Sequence, residues 1–328
     1  MAGIGRGVFG GGTSPSNTID YITIVTAGNA ADFGDLYFGI SNLAACASST
    51  RGVFGGGSSG FNYINIIQYI TIASTGNATD FGNLTRRRGK LTSCSSETRG
   101  IFAGGTGWGG NIIDYITIAT TGNAVAFGYL SVSHTYIVAC SSATRAVFGG
   151  GSYSGNVSTN LIEYVTIVTA GNATDFGDLT GAREDLAGCS STTRGIFAGG
   201  LDYSTTTNHN TIDYITIATT GNAADFGDLT AARQSLRACS SSTRGCFGGG
   251  ITSVAINTID YITIATTGNA SDFGDLTKTN CNHAGTSDVH GGLEPAPDPP
   301  PPEPPAPTGV ALNKWMGILE TNLPKILG

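Results

Sequence analysis

Apolar and polar residues alternate in short runs along most of the chain. In the segment Thr211–Thr219, for example, one face carries Ile212 and Tyr214 and is rich in β-branched and aromatic residues. A two-residue period places successive side chains on opposite faces of a β-strand. Glycine-rich and polar segments separate the runs, and no helical period occurs before residue 309. The pattern therefore predicts an all-β protein built from many short strands.

The strands recur in a repeat that is present six times. Each copy runs through Arg-Gly-x-Phe-Gly, Ile-Asp-Tyr-Ile-Thr-Ile, Gly-Asn-Ala, Phe-Gly-x-Leu and a Cys-Ser segment, or close variants of these. We expect four strands in each copy, with Gly-Asn forming a tight hairpin turn through positive φ angles. The copies are 45 to 50 residues apart and begin near Arg6, Arg51, Arg99, Arg145, Arg194 and Arg244.

Four strands at this period match the blades of a β-propeller, a closed ring without an open sheet edge. The chain starts in the arginine strand of its first copy, and an additional segment follows Leu276 and runs through Cys281 to Gly292. That segment can supply the strand that the first copy lacks. We therefore predict an all-β fold, a six-bladed β-propeller of four-stranded antiparallel blades over residues 1–292. An open β-solenoid is the alternative, but it has no need for this offset.

The C-terminal part has a different composition. Residues 293–308 are proline-rich and predict a polyproline II linker, which spans roughly 45 Å at about 3.1 Å per residue. Residues 309–328 predict a short amphipathic helix that ends near Pro324. We interpret this helix as an anchor that docks into a groove of another protein. Its apolar stripe consists of Leu312, Trp315, Met316, Leu319 and Leu323.

The repeats resemble those of a known family. An arginine before the first strand, as at Arg88, Arg183 and Arg233, a diglycine after the next strand, a tyrosine in the third and an aromatic residue in the fourth resemble kelch repeats. Phe33 and its equivalents stand where kelch repeats usually have tryptophan, so the version is divergent. The regular repeat sequence, which has few charged residues, also resembles repeats in structural proteins of marine bacteriophages, especially those of cyanobacteria. These resemblances cover residues 6 to about 292 and imply a propeller and a place in a virion.

Composition and charge argue against several classes of partner. The net charge is −7 and no basic run is present, so duplex nucleic acid is not an expected partner. No segment approaches the roughly 18 apolar residues of a membrane span, and the first residues lack an apolar signal region. We expect the chain to fold in the host cytoplasm and to have no membrane span.

Three recurrent residue types have alternative interpretations. The seven cysteines are interpreted as small buried residues, with a metal or redox cluster as the alternative. The repeated Asp-Phe-Gly-Asp motif is interpreted as turn chemistry, with calcium binding as the alternative. The arginines that open the repeats are expected to form salt bridges between blades, with a ring that attracts anions as the alternative. We predict no metal site and no cofactor.

The sequence also lacks the motifs of an enzyme. The histidines His134, His209, His283 and His290 occupy unrelated repeat positions, and no nucleophile elbow, zinc-binding motif or phosphate loop is present. We predict no catalytic residue and a non-enzymatic protein.

The segments after the glycine triplets vary most between copies, and we expect them on one face of the disc. Exposed aromatic residues anchor many interfaces, although the same loops could instead pack on their own blades. An additional docking edge is predicted at Tyr37, Phe38, Ile40, Tyr129 and Tyr136. The aromatic residues of the variable loops, predicted to bind a partner, are Phe61, Tyr63, Trp108, Tyr153 and Tyr203.

Together these features predict a structural and binding protein of a bacteriophage virion. The propeller would be displayed on the tail, baseplate or fibre, held by the C-terminal helix to other virion proteins, and would face a host receptor or glycan with its loops. Capsid decoration is the nearest alternative. A cytoplasmic kelch-type adaptor and a carbohydrate-binding lectin are the others.

Overall fold

Each repeat forms one antiparallel sheet of four strands in the computed structural model, which describes residues 5–13, 15–107, 109–153 and 157–293. The six sheets are the blades of a ring, because every inner strand neighbours two other inner strands and the last neighbours the first. The described residues contain no helix, and therefore none that could cross a membrane. The predicted six-bladed, four-stranded propeller is confirmed. The predicted linker and anchor helix lie outside the described residues.

The four strands of a blade run from the axis to the rim in chain order. The inner strands are β4 (Ala44–Ala47), β11 (Thr92–Ser95), β16 (Val138–Ser141), β22 (Ala187–Ser190), β28 (Arg237–Ser240) and β32 (Ala284–Ser287). The second strands are β1 (Arg6–Gly10), β5 (Arg51–Gly55), β12 (Arg99–Ala103), β17 (Arg145–Gly149), β23 (Arg194–Ala198) and β29 (Arg244–Gly248).

The third and outer strands complete each blade. The third strands are β2 (Thr18–Thr23), β8 (Ile66–Thr71), β14 (Ile112–Thr117), β20 (Leu161–Thr166), β26 (Thr211–Thr216) and β30 (Thr258–Thr263). The outer strands are β3 (Ala31–Asp35), β9 (Thr79–Asn83), β15 (Val125–Tyr129), β21 (Thr174–Asp178), β27 (Ala224–Asp228) and β31 (Ser271–Asp275). Short strands in the connections are β6 (Ser58–Ser59), β7 (Asn62–Tyr63), β10 (Arg88–Gly89), β13 (Thr106–Gly107), β18 (Ser152–Tyr153), β19 (Val157–Ser158), β24 (Leu201–Asp202) and β25 (Thr207–Asn208).

The ring is closed by the segment that follows the last repeat. Strand β32 pairs with β1, so blade 1 combines one strand from the C-terminal side of the repeats with three from the N-terminal side. Gly7 lies opposite Ser287 and Gly10 lies opposite Ala284 in this pairing. The predicted closure is therefore confirmed, and the open solenoid is excluded.

The core consists of six apolar clusters, and each fills the space between two neighbouring blades. The phenylalanine of each second strand is almost completely buried and faces the second strand of the preceding blade. A methyl group at Gly10 would lie 2.6 Å from the Phe54 ring, and one at Gly55 would lie 2.7 Å from Phe102. Glycine at these positions lets neighbouring sheets come close enough to exclude water. The seven cysteines are all free and buried, in agreement with their interpretation as small core residues.

The arginines that open the repeats do connect blades, but the predicted salt bridges are wrong. Each guanidinium lies over the tyrosine of its own blade, with its Cζ 4.3 to 4.7 Å from the ring centroid. Each also donates a hydrogen bond to the carbonyl that follows the third strand of the next blade, as Arg99 does to Ile167 at 2.9 Å. Cation–π contacts and backbone carbonyls thus take the place of carboxylates as partners of these guanidinium groups.

The Gly-Asn pairs also act between blades, so the predicted tight hairpin is wrong. Gly221 donates its N–H to the carbonyl of Phe176 in the preceding blade, at 2.7 Å. The Asn222 Oδ1 accepts from the N–H of Asp178, at 3.1 Å. The asparagine contact recurs at all six junctions. The Asp-Phe-Gly-Asp motif accordingly lies in the outer strands rather than in turns, which corrects its interpretation as turn chemistry.

Among the described residues, buried arginine–aspartate pairs lie at three of the six junctions. Arg88, Arg183 and Arg233 contact carboxylates of the next blade, with Nη2–Oδ2 distances of 2.8, 2.6 and 3.0 Å to Asp114, Asp213 and Asp260. The equivalent pairs at the other junctions are His134 with Glu163, Ile40 with Gln68 and Asn280 with Asp20. At the junction between blades 1 and 2, the arginine and the acid are thus both replaced by uncharged residues.

Removing the closing strand tests the closed ring. A chain that ends at Leu276 should aggregate or melt far below the full chain, because β1 and two inner strands then lose their neighbours and expose sheet edges. A chain that ends at Leu293 retains β32 and should melt like the full chain. Calorimetry and size-exclusion chromatography measure both. A monomeric product at Leu276 with unchanged melting would contradict ring closure.

The ion pairs can be tested against the uncharged junction. Arg183→Ile leaves Asp213 buried without its partner and should destabilise the fold by about 3–5 kcal/mol. The double variant Arg183→Ile with Asp213→Gln copies the Ile40–Gln68 pair, so it should recover most of this loss in thermal unfolding. A double variant that is as unstable as the single one would show that the charge pair itself is required.

Candidate functional site

The two faces of the ring differ in what they carry. One face, here called the loop face, carries the loops from second to third strands and the connections from each outer strand to the next inner strand. The opposite face, here called the base, carries the turns from inner to second strands and the connections from third to outer strands. The base connections are nearly identical in all blades, whereas the loops differ in length and sequence. Variation is therefore concentrated on the loop face.

Short hairpins extend the loop face at three blades. Strands β6 and β7, β18 and β19, and β24 and β25 pair with each other in blades 2, 4 and 5. In blade 3, strand β13 instead pairs with β10 from the connection that precedes the blade. These pairings order the loop backbones before any partner binds. Binding through such a loop therefore does not include the entropic cost of ordering its backbone.

Four of the five predicted loop aromatics lie on this face. Phe61 is fully exposed in the turn between β6 and β7, and Tyr153 and Tyr203 are each 43% exposed. Tyr63 is half-buried, and its ring lies over the backbone of Gly89, where an added methyl group would be 3.0 Å from Tyr63 Cδ1. Trp108 lies outside the described residues, as do the anchor residues from Leu312 to Leu323. Their roles in binding stay predictions.

The predicted apolar docking edge is not a continuous surface. Ile40 is buried in the core between blades 1 and 2, which corrects its assignment to an edge. Tyr37 is exposed, but its hydroxyl accepts a hydrogen bond from the N–H of Asp80 in the next blade at 3.1 Å. The Tyr136 ring is covered by the Lys90 ammonium, 4.4 Å from the ring centroid. These side chains therefore link neighbouring elements of the protein itself.

A closed ring of six backbone hydrogen bonds surrounds the axis on the loop face. Its members are non-glycine residues in the left-handed conformation, with φ between 54° and 58°. Each N–H donates to the carbonyl of the equivalent residue in the preceding blade, at 2.7 to 3.1 Å. The unfavourable backbone conformation, about 1–2 kcal/mol for each residue, is offset by these bonds and by the packing that surrounds them. The ring consists of Asn42, Lys90, Tyr136, Asp185, Ser235 and Asn282.

Side chains next to this ring form a further charge pair. The Asp185 carboxylate accepts from the Ser235 hydroxyl and contacts Arg237 Nη1 at 3.1 Å. Neither the ring nor this pair was predicted, because the six residues share no type and no glycine marks the left-handed positions. Within the described ranges, no group of three or more histidine, cysteine, aspartate or glutamate side chains could hold a metal ion.

A serine ladder closes the base end of the axis. Five of the six inner strands end in a serine whose hydroxyl donates to the carbonyl of the preceding blade, as Ser141 does to Ser95 at 2.8 Å. Blade 2 has Ala47 at this position, and His290 Nε2 lies 3.0 Å from the Ala47 carbonyl. A cavity of about 50 Å³ remains along the axis, lined by the inner strands and His290.

The last described residues lie across this end of the axis. The N–H of Gly292 donates to His290 Nδ1 at 3.0 Å, which leaves Nε2 as the protonated nitrogen that donates to Ala47. Gly291 donates to the Ser190 carbonyl at 3.0 Å, and a methyl group at Gly292 would lie 1.8 Å from the Ser95 carbonyl oxygen. Only glycine fits there. The chain therefore passes the axis at the base before it continues beyond Leu293.

Comparison with known proteins leaves the family open. No protein-family model matches the chain, and no curated protein matches its sequence. The fold is therefore established by the strands and their closure alone.

Buried histidines make the stability dependent on pH. Burial lowers the pKa of His134 and His290 as well as that of His283, and the pKa of His283 is lowered further than that of His134. His283 is fully buried where the other connections have Leu43, Leu91, Leu186, Leu236 or Ile137. Burial and the nearby Arg237 and Arg233 lower its pKa to about 3. The unfolded chain takes up this proton below about pH 6.5, whereas the folded protein does not, so stability is lost as the pH falls from there.

His283→Leu should remove this loss. At pH 5 the wild-type protein should have lost about 2 kcal/mol through this group relative to neutral pH. Melting temperatures at pH 7.5 and pH 5 would measure the loss in both proteins. Carboxylates and the other buried histidines contribute equally to both proteins, so an equal decrease in the variant would show that His283 is not the cause.

Proposed function

We propose that this chain is a non-enzymatic structural and binding protein of a bacteriophage particle. In this proposal the propeller is a recognition head that presents its loop face outward. The segment beyond Leu293 holds the head to other virion proteins. Tail, baseplate or fibre attachment is the first choice.

The observation that carries the proposal is the position at which the chain leaves the ring. Residues 290–293 cross the axis at the base, opposite to the loop face. The described chain therefore ends at the base, on the side of the ring opposite to the loop face. In the proposal the head is held from this side and its loop face is directed to the partner.

The distribution of variation supports the same orientation. The base is built from repeated contacts that are the same in every blade, such as the arginine–tyrosine and asparagine contacts. The loop face carries different lengths, hairpins and aromatic residues in each blade. Aromatic side chains such as Phe61 and Tyr203 bury much surface on contact and are typical anchors of interfaces.

The assignment to a bacteriophage comes from the resemblance of the repeats to marine phage structural proteins. Capsid decoration is the nearest alternative, because it also displays a head from one attached end. An adaptor or a lectin, the further alternatives, would use the loop face in the same way but would not need the C-terminal anchor.

Incorporation into particles distinguishes a virion protein from an adaptor or a lectin. Replacing Trp315 and Leu319 by alanine should reduce the amount of protein that co-purifies with assembled particles by orders of magnitude, because each large apolar anchor contributes on the order of 2–4 kcal/mol in a packed interface. Replacing Phe61 and Tyr203 by serine should leave incorporation unchanged and reduce attachment to the partner.

A matched control is Val168→Ser, which changes an exposed apolar residue in a base connection. It should affect neither incorporation nor attachment, and all variants should melt like the wild type. If the anchor variant is incorporated normally and the loop variant is not, the proposed attachment is wrong.

A further inference from the structure

Nearly all arginines of the chain have a structural partner. Six lie over tyrosines at the base, three form the buried pairs between blades, and Arg237 contacts Asp185. Arg86 and Arg87 remain. Both are exposed, and in the described part of the chain neither makes a hydrogen bond or an ion pair. The two arginines without a structural partner are thus adjacent to each other.

Their position is on the loop face, between β9 and β10. Strand β10 follows them directly, and the Tyr63 ring lies over Gly89 of that strand. Phe61, the most exposed large apolar residue of the described chain, is two residues before Tyr63. We call Phe61, Tyr63, Arg86 and Arg87 the basic corner.

No other blade has such a pair of positive charges. The equivalent positions in the other connections are Phe38–Gly39, Val132–Ser133, Gly181–Ala182, Ala231–Ala232 and Lys278–Thr279. The single lysine among them donates to Thr18 Oγ1 at 2.9 Å. Because the chain as a whole carries a net charge of −7, a negatively charged partner is repelled by most of the surface and attracted to this corner.

We propose that the basic corner binds an anionic polysaccharide whose sugars carry carboxylate groups. Guanidinium groups bind carboxylates through two parallel hydrogen bonds. An aromatic ring that is exposed on both faces, as Phe61 is, can pack against the apolar face of a sugar ring. The short strands at the corner form two separate pairs of only two residues per strand, so they offer little backbone to an acidic peptide that would bind by strand addition. The inference rests on the proposed function, because it names the partner of the loop face.

The test uses the full chain and immobilised polygalacturonate, with neutral dextran and poly-L-glutamate as comparison polymers. We expect binding to polygalacturonate that weakens as salt is raised, and no binding to dextran. Arg86→Gln with Arg87→Gln should lower the affinity by about tenfold or more, since two charged contacts are lost. Phe61→Ser should also lower it.

Lys278→Gln is the matched control, because it removes an exposed charge from the same face and should leave the affinity unchanged. All variants should keep the wild-type melting temperature. Absence of binding to polygalacturonate at low salt, an equal loss in Lys278→Gln, or equal affinity for poly-L-glutamate would overturn the proposal. The arginine variants should still be incorporated into particles, so a failure of this inference is distinguishable from a failure of the proposed function.

Discussion

The closure of the ring by strand β32 is the constraint on which the other features depend. Six sheets packed face to face bury both surfaces of every blade only if the last blade also meets the first. Pairing of β32 with β1 achieves this and joins the two ends of the repeat region in one sheet. This pairing also determines the position of the residues that follow β32. An inner strand ends at the base beside the axis, so the residues after Ser287 have to leave there.

The residues at the two ends of the axis differ. The serine ladder, His290 and the two glycines after it fill the base end of the axis, while the opposite end is surrounded by the six left-handed residues. A molecule with nearly regular blades thereby obtains two unlike faces. The regular face is built from contacts between blades. The other face is free to vary, because hairpins such as β6–β7 are attached at its surface and contribute little to the core.

The sequence predicted the fold because a period of strands and turns determines how many blades form and which strand is missing. It did not predict which contacts join neighbouring blades. Asn222 recurs at the same position in each repeat, so the sequence alone does not distinguish a turn within its own blade from a contact with the next repeat. At Arg99 the sequence predicts a contact between blades, but it does not show that the partners are a tyrosine ring and a backbone carbonyl rather than a carboxylate. The left-handed ring carried little signal, since only Asn42, Asp185 and Asn282 among its six members are of residue types enriched in this conformation.

The loop residues were identified by their variation and their aromatic character, and the structure places Tyr63 against the strand that follows two arginines without partners. The arginines themselves were missed. Arg88, directly after them, belongs to a repeat motif. Only the structure shows that Arg88 is buried whereas Arg86 and Arg87 are exposed. Local sequence does not separate a buried arginine from an exposed one when both precede the same strand.

We propose that the propeller is held from its base and presents the loop face outward. Electron cryomicroscopy of particles from the bacteriophage proposed to carry this chain tests this arrangement. We expect six-bladed discs on the particle, with density for the attachment at the base and the loops directed away from the particle. Particles without such discs, or discs attached through the loop face, would contradict it.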